Sequence, residues 1–163
     1  MNTQAFTFPN PVNEVSARVV AAGVVGMASL TVALDQRWLL VPLTYGFVAR
    51  ALAGPRFSPL GLIATRVITP RLPVAPQYVP GPPKRFAQTL GAAVSTAATV
   101  SAFGLGKHNV ARALIGMLAL FATLESAFAF CVGCKIFGFL MSVKLIPEEV
   151  CLACNNVGAR AHS

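Results

Sequence analysis

The chain has 163 residues, enough for one domain, of which 55% are hydrophobic and only 11% charged. A soluble domain carries about 25% charged residues. Together with a mean hydropathy of +0.67, this argues against a soluble globular enzyme, a disordered tail or a nucleic-acid binder, and for an integral membrane protein. The net charge is +8, from 13 Lys and Arg against 5 Asp and Glu. Such an excess can signal nucleic acid, but here the cations gather in one loop, as in loops that orient membrane helices.

In chain order, residues 15–34 make the first candidate span, matching the roughly 20 apolar residues that a bilayer crossing needs. Asp35-Gln36-Arg37 turns the chain, and Trp38 opens a shorter second stretch over 38–53. That stretch contains Pro42 and ends near Arg50, which is expected to snorkel to the headgroups. Residues 54–85 form a loop that carries 8 of the 12 prolines, because proline lacks an amide donor and breaks regular structure. A short interfacial helix is expected within it, near Leu60 to Val67. Residues 86–106 are uncharged and rich in Ala, Thr and Ser, which suits a closely packed third span. A fourth is expected over 110–134, interrupted by Arg112 and Glu125. From Arg50 to Arg85 there are six cations and no acid. By the positive-inside rule the long loop is then cytoplasmic, and with four spans so are both termini.

All four cysteines lie near the C-terminus, as Cys131-Val-Gly-Cys134 and Cys151-Leu-Ala-Cys154, with sixteen residues between the pairs. At a cytoplasmic membrane surface permanent disulfides are disfavoured, which leaves two readings. The spacing suits a four-thiolate zinc site, with iron the less favoured metal. It equally suits thiol exchange, in which each pair cycles between dithiol and disulfide. On this reading Cys131 and Cys134 sit at the C-terminal end of the fourth span, where the helix dipole disfavours a thiolate. Glu125 is the one acid inside a span and a weaker candidate. On a straight helix it points away from Cys134, and it is expected to pack against Ser95, Thr96 or Thr99.

Asn10-Pro11-Val12, Gly54-Pro55-Arg56-Phe57-Ser58-Pro59, Pro82-Pro83-Lys84-Arg85-Phe86-Ala87-Gln88 and Phe130-Cys131-Val132-Gly133-Cys134-Lys135 together resemble a bacterial integral membrane family called domain of unknown function 4395, over residues 9–140. The resemblance implies a small multi-pass protein of the bacterial inner membrane and no established activity. It also implies association with thioredoxin-like or sulfur-handling proteins, which favours thiol chemistry at Cys131 and Cys134. Cys151 and Cys154 belong to an extension beyond the shared element.

The expectation is thus an all-α, integral membrane four-helix bundle with both termini inside, over residues 1–140, and a cytoplasmic cysteine-bearing tail over 141–163. Two functions stay open. One is a thiol-based accessory relaying disulfides, electrons or sulfur. The other is a non-enzymatic subunit or assembly factor of a larger membrane complex, clamped by Zn²⁺ on Cys131, Cys134, Cys151 and Cys154.

Overall fold

The computed structural model describes residues 8–146. Cys151 and Cys154 lie outside the described residues. The fold is mostly helical, with α1 (Glu14–Ala33), α2 (Leu40–Ala53), the short α3 (Pro59–Ile63), α4 (Gly81–Phe103), α5 (His108–Phe128) and α6 (Val132–Ser142). Two strands of two residues each stand just before α1 and α4. β1 (Val12–Asn13) pairs antiparallel with β2 (Tyr78–Val79), Val12 opposite Val79.

Local chemistry explains the helix starts. Asn13 caps α1 by accepting from the Val15 amide, and Ser58 caps α3 by accepting from Gly61, with Pro59 following. Pro42 falls in the first turn of α2, where its missing amide costs no helical bond. For the same reason Pro82 and Pro83 sit in the first turn of α4. This corrects the expected 54–85 loop: α4 begins at Gly81, five residues before the uncharged stretch.

The long helices pack side by side: α1 lies on α5, α5 on α4, and α4 on α2. Their shared core is built from Val20, Val24, Leu43, Phe47, Ala98, Ile115 and Leu118 among others. α4 presents small residues to its neighbours, so Gly91 leaves room for the Phe47 ring. A Thr44–Thr99 hydroxyl bond of 2.9 Å ties α2 to α4. α3 continues through a wide helical turn at Ala64–Ile68 and lies against α1, where Leu60 occupies the space left by Gly23. Two helices, α1 and α5, are long and apolar enough to cross a membrane.

The fourth stretch is the main departure from expectation. α5 stops at Phe128, Ala129 takes a left-handed conformation at φ 55°, and the chain restarts as α6 after Cys131. The span expected over 110–134 is therefore two helices with a break between them. α6 packs on the start of α4: Phe137 meets Phe86 with ring centroids 5.5 Å apart, and Gly133 sits so close to Ala87 that no Cβ would fit. Arg18 of α1 supports the break from outside. Its Nε and Nη2 donate to the Ser126 and Ala127 carbonyls at 3.0 and 3.2 Å. These carbonyls close the last turn of α5, where a cation is favoured.

Candidate functional site

The break at Ala129 places Cys131 at the N-cap of α6, with Cys134 three residues on, in its first turn. Both follow the end of α5, so neither belongs to a helix that could cross a membrane. The expected position at a helix C-terminus is thus inverted. The partial positive charge of the α6 N-terminus now favours a thiolate at Cys131. Cys131 Sγ accepts from the Cys134 amide at 3.4 Å and from the Cys134 thiol, with the two sulfurs 2.8 Å apart. Both cysteines are free; Cys131 is buried and Cys134 half-buried. The bond from the Cys134 thiol, more than any other influence, holds the Cys131 thiol below the ordinary thiol range. Burial and Glu125 oppose this, and Lys84 assists it. Cys134 is pushed above that range, first by donating its proton to Cys131 and then by burial. The arrangement makes Cys131 the better nucleophile of the pair and Cys134 the thiol that keeps its proton.

Lys84, near the start of α4, stands beside this pair. Its Nζ donates to Glu125 Oε1 at 2.6 Å and lies 2.9 Å from Glu14 Oε2. Lys84 is 5% exposed and Glu14 7%, so this is a buried cation held between two carboxylates from α1 and α5. Burial works against the Lys84 charge, but Glu125 and Glu14 outweigh it and raise its pKa above that of a free lysine. The ammonium therefore remains as a fixed positive charge within electrostatic reach of Cys131.

Two expectations are corrected here. Glu125 does not pack on Ser95, Thr96 or Thr99; its side chain reaches Lys84. Lys84 also couples Glu125 to the cysteine pair, since the helix between them is broken and Lys84 acts on both. Arg50 also departs from expectation. It does not snorkel: its side chain is buried, with Nε donating to Gln88 Oε1 at 2.9 Å and Nη1 to Ser58 Oγ at 3.0 Å.

The residues that carry the site but were not singled out in the sequence are Glu14, Lys84 and Arg18. Lys84 counts there as one of six loop cations and as a member of a resemblance motif, with no role of its own. Glu14 sits one residue outside the first apolar stretch, and a capping acid would read the same way. Among the described residues no group of three or more His, Cys, Asp or Glu is gathered as a metal ion would require. A four-thiolate site would need Cys151 and Cys154, which lie outside the described residues.

The segments that carry the sequence resemblance converge on this end of the molecule. Asn10 Oδ1 accepts from the Gly81 amide at 3.1 Å, Pro9 packs into the space at Gly54, Ser58 and Gln88 hold Arg50, and Ala87 receives Gly133. No curated protein and no solved structure matches the chain. A family model described as a domain of unknown function (DUF4395) matches residues 12–142, which takes in α1 to α6, Glu14, Lys84, Glu125, Cys131 and Cys134. The chain belongs to this family.

Proposed function

We propose that this is a multi-pass protein of the bacterial inner membrane, with both termini cytoplasmic, that acts as a thiol-based accessory through Cys131 and Cys134. Two observations support the membrane reading. α1 and α5 are long and apolar enough to cross. Large apolar side chains such as Leu30, Val41, Leu52, Leu120, Phe128 and Phe139 stand exposed on several helices, where a bilayer would cover them. The orientation rests on the cations between Arg50 and Arg85.

The observation that carries the thiol reading is the Cys131 sulfur at a helix N-cap, 2.8 Å from the Cys134 sulfur and under the influence of the buried Lys84 ammonium. A disulfide requires the sulfurs to close to about 2.05 Å, a small motion from this starting point. In the proposed step the Cys131 thiolate attacks a partner's disulfide, forming a mixed disulfide and releasing one partner thiolate, which takes up a proton. Cys134 then loses its proton and attacks Cys131 Sγ. The Cys131–Cys134 disulfide forms, and the second partner thiol leaves. Two electrons pass from this chain to the partner disulfide, and the reverse sequence passes them back. Cys151 and Cys154 form a second couple on the tail that would exchange with the first, and a thioredoxin-like protein is the partner class.

Incubation of the full chain with oxidised glutathione, followed by intact-mass analysis, tests this. The wild type should form an internal disulfide, Cys134→Ser should accumulate one glutathione on Cys131, and Cys131→Ser should accumulate far less at Cys134. Alkylation followed over pH should show Cys131 reacting at a lower pH than Cys134. Equal trapping by both variants would refute the assignment of roles. About one Zn per purified chain with four masked thiols would replace the redox reading with a structural clamp in a larger membrane complex.

A further inference from the structure

A cavity of about 250 Å³ lies between α4, α5 and α6 and reaches Phe47 of α2. Its lining grades from open to closed. At the mouth stand Leu90, Met117, Phe121 and Ile136, between 36% and 41% exposed. At the floor lie Phe47, Leu118, Ala122 and Cys131, each at most 8% exposed. Gln88, Glu125 and Cys131 are the polar members of the lining. An apolar cavity with a few polar groups is the usual form of a small-molecule site. Here one of those polar residues is Cys131, whose sulfur stands 2.8 Å from that of Cys134.

The mouth selects what enters. Its four side chains carry neither charge nor a strong hydrogen-bonding group. A charged oxidant would lose its water there and gain nothing in return. A lipid-soluble molecule arriving from the bilayer would exchange one apolar environment for another. The floor selects what the entrant does. A dithiol that closes to a disulfide gives up two electrons and two protons. A quinone is an apolar ring that takes up both.

We propose that this cavity admits the ring of a lipid-soluble quinone, which oxidises the Cys131–Cys134 pair. The proposal rests on the thiol and membrane readings above and names the small-molecule substrate of that site. The Cys131 thiolate adds to a ring carbon, forming a C–S bond, and the displaced electron pair moves to one ring oxygen, which takes up a proton. Cys134 then loses its proton and attacks Cys131 Sγ. The S–S bond forms, the C–S bond breaks with its electron pair passing into the ring, and the second ring oxygen takes up a proton. The dithiol is oxidised by two electrons, the quinone is reduced to the hydroquinone, and the new disulfide can then be reduced by a partner dithiol.

The full chain, reduced and kept free of oxygen in an uncharged detergent, is mixed with decylubiquinone. Quinone absorbance is followed alongside intact mass after alkylation. One quinone should be consumed for each Cys131–Cys134 disulfide formed, at a rate that saturates as the quinone is raised. Met117→Trp and Leu90→Trp narrow the mouth from α5 and α4 at exposed positions, where the fold tolerates a larger side chain. Each should slow oxidation by decylubiquinone by at least about tenfold, through lost positioning of the ring. Each should leave oxidation by oxidised glutathione, which is charged, at the wild-type rate. The proposal is overturned, and the thiol reading stands, if the wild type forms its disulfide with glutathione but consumes no decylubiquinone. Trp variants that react with the quinone as fast as the wild type overturn it too. So do variants that slow both oxidants alike, since they would be acting on the thiols themselves. If neither oxidant closes the pair, the thiol reading falls with it.

Discussion

Lys84→Met is expected to destabilise the protein by about 3–5 kcal/mol, because it removes the one cation shared by the buried Glu14 and the half-buried Glu125. Methionine fills nearly the same volume, so the loss is electrostatic rather than a matter of packing. Glu14 and Glu125 would then face each other's charge with nothing between them. Adding Glu14→Gln and Glu125→Gln to the same chain should recover most of the stability, since an apolar or neutral replacement of a whole buried ion cluster is often well tolerated. Glu125→Gln alone should cost less than Lys84→Met, because an amide oxygen still accepts from Lys84 and Glu14 remains. Denaturant or thermal unfolding of the wild type and the three variants in one detergent measures this. A Lys84→Met protein as stable as the wild type would show that the ion cluster contributes nothing to the fold. The same variant should also raise the pH at which Cys131 is alkylated, since Lys84 favours the thiolate.

Gly133→Val is expected to act on the site through the backbone. A Cβ at Gly133 would lie 2.6 Å from both Cα and Cβ of Ala87. Main-chain atoms cannot swing aside, so α6 must lift from α4. Overpacking of this kind costs about 1–3 kcal/mol, and the Phe86–Phe137 contact would go with it. Cys131 caps α6 two residues before Gly133, so moving the helix carries the sulfur away from Lys84. Alkylation of Cys131 should therefore shift towards the pH of an ordinary thiol as the protein loses stability. Gly138→Val is the control, because it lies on the same helix with nothing within 4 Å of its Cβ. It should leave both properties unchanged. A Gly133→Val protein with an unaltered alkylation profile would separate the cysteine pair from the packing of α6.

The inverted position of the cysteines shows how far local pattern carries. From 110 to 134 the chain is apolar with two charges and one glycine pair's worth of breaks too sparse to read, and neither proline nor glycine stands where α5 ends. Left-handed caps favour glycine strongly, and Ala129 has a Cβ that disfavours the conformation by about 1–2 kcal/mol. Nothing near 129 announces a break. It is held by contacts from elsewhere: Arg18 on the last carbonyls of α5, Ala87 against Gly133, and Phe86 against Phe137. Capping by Cys131 in place of the usual Ser, Thr, Asp or Asn conceals the start of α6 as well. Glu125 illustrates the opposite case. Its presence within an apolar helix marks it as a residue with a task, but its partner is Lys84, 41 positions away.

The sequence by itself determined the helical class, the apolar surface, the concentration of cations from Arg50 to Arg85, the pairing of cysteines as two CxxC units, and the family. Each of these follows from composition, short spacing or a string of adjacent residues, which are local quantities. Only the tertiary structure decided that Cys131 begins a helix rather than ending one, that Lys84 bridges Glu14 and Glu125, and that Arg50 is enclosed instead of reaching outward. Those outcomes depend on which buried charges find one another and on which helix faces leave room for a close approach. Burial makes an unpaired charge costly and a missing Cβ useful, and neither condition exists until the helices have packed.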